Sequence, residues 1–475
     1  MFDYRKYMVN QLARMGTRYL PFADVASPQV PLSRLMRLSL FQVTVGMALV
    51  LLVGTLNRVM IVELDVPATL VAGMLALPLV FAPFRTLIGF KSDEHVSALG
   101  LRRAPYIWKG TMYQFGGFAI MPFALLVLSG YGEAIDAPRW IGLSSAALSF
   151  LLVGAGVHIV QTVGLALATD LVEEEDQPKV VGLMYVMLLV GMVLAALAYG
   201  ALLTDYTPGR LIQVIQGSAV VTVALNLAAL WKQEARDRNR AQAMLQKPRI
   251  AFKAALAELA ARPGMIRLMV LIGVGTFGFG MADVLLEPYG GQALGFSVAE
   301  TTRLTALLAT GTLVGFGIAS RVLVGSTEAV ALGRIGAMVG IPGFGAVIAS
   351  SMVGGAPLFL AGTLATGLGA GLFGHATLTA TLRAAPRNRI GLALGSWGAV
   401  QATAAGIGVA LAGIVRDVVV GLDSAGTLAS YTPYNTVFGL EIVFLLIAVV
   451  IAVPVARRQL PADTSDPDRV SIKVS

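Results

Sequence analysis

KQEARDRNRAQAMLQKPRIAFKAALAELAARP, residues 232–263, carries eight Lys or Arg and three acids in a chain that is otherwise mostly apolar. Six long apolar runs precede it, centred near residues 50, 78, 118, 153, 191 and 220. Six follow, centred near 277, 311, 342, 367, 402 and 444. Each is about 18 residues or longer, enough to cross a hydrocarbon core of about 30 Å as a helix. The runs are continuous rather than alternating, which excludes a membrane-spanning β-barrel. A basic linker between equal sets of spans predicts an all-α polytopic membrane protein, a 6+6 pseudo-symmetric bundle of twelve helices.

Composition agrees. The 475 residues are 56% hydrophobic and 13% charged, with mean hydropathy +0.77, too few charges to clothe a soluble core of this size. Of 35 Lys and Arg, 28 fall in alternate loops and tails on one side, and three (Arg139, Arg210, Arg416) on the other. This asymmetry predicts both termini in the cytoplasm. It also accounts for the net charge of +8 without a nucleic-acid partner. The chain has no cysteine, which excludes disulfides, thiolate metal sites and thiol catalysis. The expected organisation is an N-terminal arm (1–31), a first half (32–231), the linker (232–263), a second half (264–456) and a polar tail (457–475). No short apolar region with a cleavage site precedes the first span. Residues 249–262 of the linker are suited to lie on the inner leaflet, and the arm, with Phe2, Met8, Leu12 and Met15 at helical spacing, is expected either to do the same or to be a flexible tail.

The loop after span 2 holds Gly89, Asp93, Gly100, Arg102 and Arg103. The set resembles the loop between helices 2 and 3 of major facilitator superfamily transporters, with an insertion between Asp93 and Gly100. Glycine allows helices to cross closely, and the acid can pair with arginine or cap a helix. The run Glu173 to Asp176 reads as a solvated turn, because adjacent acids make a poor metal site. No phosphate loop, nucleophile elbow or paired-histidine motif is present, so no enzymatic activity and no metal site are expected.

Two constellations inside the spans remain. Asp283 and Glu287 share one face near the end of span 7, with Pro288 expected to break the helix just after them. Arg58 lies at similar depth in span 1. An Arg58 ion pair to Asp283 or Glu287 between the halves is one expectation, and independent snorkelling toward the interface is the other. The second constellation is His158 with Gly154 in span 4, and His375 with Gly371 and Gly367 in span 10. A neutral imidazole can ligate the metal of a planar macrocycle, and a glycine one turn away leaves room for the ring. The same glycines equally suit close helix packing.

Longer segments resemble one family closely. LSRLMRLSLFQVTVGMALVLLVGTLNRVMIVEL (32–64), APFRTLIGFKSD (82–93), LRRAPYIWKGTMYQFGGFAIMPFALLVLSG (101–130), QTVGLALATDLV (161–172), VVGLMYVMLLVGM (180–192), LLEPYGGQALG (285–295) and GLALGSWGAVQATAAG (391–406) resemble, in order, the PucC/LhaA family. This is the bacteriochlorophyll-delivery branch of the major facilitator superfamily. The resemblance implies twelve helices in the photosynthetic membrane of a purple bacterium, and a role in assembling light-harvesting antenna complexes. It implies bacteriochlorophyll as a transient cargo and antenna polypeptides as partners, with membrane lipids and pigment-synthesis or membrane-insertion machinery around them. Antenna helices have a similar glycine-then-histidine arrangement, so His158 and His375 are the candidate magnesium ligands and Gly154, Gly367 and Gly371 the candidate pigment-packing positions. Length and the N-terminal arm lean toward the LhaA-like group, which serves the core antenna, over PucC proper, which serves the peripheral one. The alternatives are a secondary transporter and an antenna-binding scaffold that handles no pigment. Few ionisable groups appear near mid-span, which argues against coupled transport of polar solutes.

Overall fold

The computed structural model describes residues 30–80, 88, 92, 101–130, 134, 136–173, 176–234, 257–323, 328–353, 355–384, 390–423 and 427–457. The N-terminal arm, most of the linker and its amphipathic stretch, and the C-terminal tail lie outside them, as do Gly89, Asp93 and Gly100. Among the described residues, eleven helices are long and apolar enough to cross a membrane: α1 (Leu32–Glu63), α3 (Ala104–Ser129), α4 (Arg139–Asp170), α5 (Gln177–Leu202), α6 (Pro208–Leu230), α7 (Met265–Leu294), α8 (Val298–Val322), α9 (Ala329–Val353), α10 (Ala356–Ala384), α11 (Ile390–Leu422) and α12 (Thr432–Arg457). The twelfth, α2 (Ala68–Val80), is 13 described residues long and stands where span 2 is expected. No strand occurs among the described residues.

Local chemistry sets several ends. Thr207 caps α6, its hydroxyl accepting from the Arg210 amide at 3.0 Å, and Pro208 takes the first position, where no amide hydrogen is needed. Ser297 and Glu300 form a reciprocal capping box on α8. The turn just before it needs a left-handed residue, and Gly295 supplies it at φ 71°.

The chain resolves into two compact units that do not follow the linker boundary. One contains residues 1–51, 87–198 and 206–245. The other contains 52–86, 199–205 and 246–475. In the first, α3 and α4 meet through glycine. A Cβ on Gly117 would lie 2.8 Å from the Ser149 carbonyl, and the Ser149 hydroxyl donates to the Gly117 carbonyl at 2.7 Å. In the second, α2 joins through small residues on α11, where a Cβ on Gly413 would lie 2.6 Å from that of Ala72. This contact explains why α2 belongs with the C-terminal helices. In lipid, close backbone approach of this kind supplies much of the adhesion between helices.

Candidate functional site

The segment with Asp283 and Glu287 does not break where proline predicts. α7 is interrupted at Met281 instead, between Met265–Gly280 and Ala282–Leu294, and Pro288 lies inside the second piece. Proline lacks an amide hydrogen, so the carbonyl four residues earlier, that of Val284, loses its helical donor. Asn57 of α1 replaces it, its amide nitrogen donating to the Val284 carbonyl at 2.6 Å. At the interruption, the Ala282 amide donates to a carboxylate oxygen of Glu441 on α12, also at 2.6 Å. Side chains from other helices thus restore the hydrogen bonds that the broken helix gives up, as a membrane interior demands. Tyr289 completes the seam. It is fully buried, edge-on to Tyr434 and Phe438, and its hydroxyl donates to the Val347 carbonyl at 2.9 Å.

Arg58 pairs with neither acid of α7. Its guanidinium forms an ion pair with Glu63, five residues on in α1, and donates to the Phe296 carbonyl at 3.0 Å. Sequence neighbours and a nearby backbone carbonyl therefore take the charge that a pair between the halves was expected to take. Glu287 is buried and accepts from the Thr305 hydroxyl of α8, and its second oxygen has no partner. Asp283 is exposed and forms no ion pair or hydrogen bond among the described residues.

His375 is buried, with the ring of Phe316 on α8 at 4.1 Å between centroids and its Nδ1 without a hydrogen-bond partner. Its glycines leave no room for a ring. A Cβ on Gly371 would run into the Thr312 carbonyl, and one on Gly367 into the Leu308 carbonyl, because the α8 backbone lies directly against them. The stripe is a close contact between α8 and α10, with no open space beside these two glycines. His158 is half-buried on α4 and already has a neighbour of its own, and Gly154 is buried. The two histidines fall in different units.

The described part of the loop motif forms a charge cluster in the first unit. Arg102 and Arg103 both pair with Asp170 at the end of α4, at 2.6 and 3.1 Å. The Glu234 carboxylate accepts from the amides of Arg102, Arg103 and Ala104 at the start of α3, and Arg103 donates to Ser92. Asp170 and Glu234 were not anticipated from sequence. Lys179 pairs with Asp176 at 2.9 Å, as befits a solvated turn.

Glu441 is the other omission. It is a single acid in the apolar run VFGLEIVFLL, fully buried, with one oxygen bonded to the backbone of α7 and the other without a partner. It weakens the argument that the spans lack mid-depth acids.

The class of fold is that of the major facilitator superfamily. A bacterial homologue of the lysosomal transporter Spinster, inward-facing and unoccupied, aligns with TM-score 0.65 at 17% identity over 90% of this chain and 96% of that one. A D-xylose–proton symporter aligns with TM-score 0.65 at 13% identity, over 91% and 98%. The chain belongs to the PUCC protein family, which matches residues 55–460. It is 68% identical to Protein PucC of Rhodobacter capsulatus, over 96% of this chain and 99% of that protein. It is 62% identical to Protein PucC of Rhodovulum sulfidophilum (87% and 91%) and 55% identical to that of Cereibacter sphaeroides (96% and 99%).

Proposed function

We propose that this chain is an assembly factor for light-harvesting antenna complexes in the inner photosynthetic membrane, delivering bacteriochlorophyll to newly inserted antenna polypeptides. Both termini are cytoplasmic in this reading, and it involves no enzymatic step. The observation that carries it is kinship with PucC proteins along almost the whole chain. Length does not set a core-antenna group apart, since PucC proteins of nearly equal length match from end to end. The client is therefore an antenna polypeptide of either class. The α8 backbone packed against Gly367 and Gly371 speaks against pigment on the stripe beside His375. His158 is the remaining candidate ligand among the two histidines.

The test is deletion of the gene from a pigmented host, followed by near-infrared absorbance of its membranes. Loss of one antenna band, restored by the wild-type gene, supports delivery and names the client. Unchanged antenna bands would overturn the reading. Pigment that copurifies with wild type and with His375→Ala, and is lost in His158→Ala, would assign the ligand.

A second reading, proton-coupled secondary transport, is favoured by Glu441. A fully buried carboxylate with an unpartnered oxygen in a span is a common feature of coupled carriers. It predicts solute uptake into proteoliposomes that needs a pH gradient and is abolished in Glu441→Gln. Uptake unaffected by that substitution would end it.

A further inference from the structure

Between α7 and α11, with Phe444 of α12 at one end, an apolar groove of about 570 Å³ opens sideways from the second unit. Thr403 is its one polar lining residue, and Val270 and Ile407 are about half exposed. A second lobe of about 330 Å³ meets it at Val270 and Val400 and runs down to Met265, Leu259 and Ala260. The lining residues recur at three- and four-residue steps on both helices, so the groove follows the helix axes. From Met265 to Phe277 it extends about 18 Å at 1.5 Å per residue, close to the ~15 Å of one leaflet. A single acyl chain has the length and apolar character to lie along it.

The end of the groove carries charge. Arg267 stands next to Ile266 in the first turn of α7, exposed and without an ion pair among the described residues. Arg262 lies just before the helix and donates to the Ala384 carbonyl at 3.2 Å. Among the described residues of this segment the cations are Arg262 and Arg267 and the acid is Glu258, and Arg262 and Glu258 each have a further partner. The first turn of α7 contains no acid.

We infer that this groove is a binding site for an anionic phospholipid, one acyl chain lying along α7 and α11 and the phosphate meeting Arg267 and Arg262. The observations are a leaflet-long apolar channel and a basic rim where a headgroup would sit. The site is independent of pigment delivery and of transport.

The test uses the full-length protein purified in mild detergent, with native mass spectrometry against phosphatidylglycerol and phosphatidylcholine of identical chains. Wild type is expected to retain phosphatidylglycerol over phosphatidylcholine. Arg267→Glu should lower that preference at least about fivefold, roughly the contribution of one basic residue near an anionic surface, and leave phosphatidylcholine retention unchanged. Gly273→Phe should abolish retention of both lipids. A Cβ at Gly273 meets only the Val400 side chain, at 3.6 Å, so the ring enters the groove without backbone collision. Ile407→Trp, starting from an exposed position, fills the groove from the other wall and serves if the first variant fails to fold. Equal retention of the two lipids by wild type would overturn the proposal. So would wild-type retention of phosphatidylglycerol in a folded, groove-filled variant.

Discussion

Two sets of buried polar groups, one in each unit, are handled differently. In the first unit, Asn226 links helices side chain to side chain. Thr44 of α1 donates to Asn226 of α6 at 2.9 Å, and Asn226 donates to Thr111 of α3 at 2.9 Å. Either threonine also has a helical carbonyl within reach, Phe41 or Ile107. In the second unit, side chains repair backbone at the interrupted helix: Asn57 serves Val284 and Glu441 serves Ala282. The first arrangement is adhesive and locally redundant. The second has no redundancy, because an interrupted helix in lipid cannot turn to water for a replacement.

That contrast sets an order of expected effects, read as unfolding of the purified protein in detergent. Glu441→Leu should be the most damaging, at about 2–3 kcal/mol, since it leaves a buried amide hydrogen without an acceptor. Glu441→Gln keeps a carbonyl oxygen for Ala282 and should recover most of the loss. Equal losses in the two variants would mean that the carboxylate's charge, not the cap, matters. Asn57→Leu follows at about 1–2 kcal/mol, because an orphaned carbonyl is tolerated somewhat better than an orphaned amide. Asn226→Leu should destabilise by only about 0.6–1 kcal/mol, the usual range for hydrogen bonds between membrane helices. A larger loss there than in Asn57→Leu would dissolve the contrast. His375→Phe should be the smallest, below the loss in Asn226→Leu, since the swap keeps volume and the Nδ1 of the imidazole has no hydrogen bond to lose.

The spans were legible because length and hydrophobicity suffice to define them, and all but one of the twelve run centres fall well inside a helix. The exception is the run near 78, which is close to the last described residue of α2. The family was legible from seven segments matching in order, and the comparisons bear it out. The seam was not. Pro288 is a helix breaker by local rules, and its tolerance depends on Asn57, more than 200 residues away. For Arg58 the sequence left a pair across the halves and independent snorkelling open, because depth alone does not single out Glu63 on its own helix. The glycine–histidine stripes were ambiguous in principle, since a missing side chain makes room for a ring or for a neighbouring backbone equally well. Only the position of α8 decides. Glu441 could have been found: one acid in a long apolar run is a visible signal.

The stripe on α10 has one more use. Three positions before Gly374, Gly371 is pressed against α8, yet a Cβ on Gly374 would touch nothing within 4 Å. The chain lacks cysteine, so Gly374→Cys would give a single thiol in open space beside His375. A fluorophore or spin label there would report on this helix from a background that needs no prior mutagenesis.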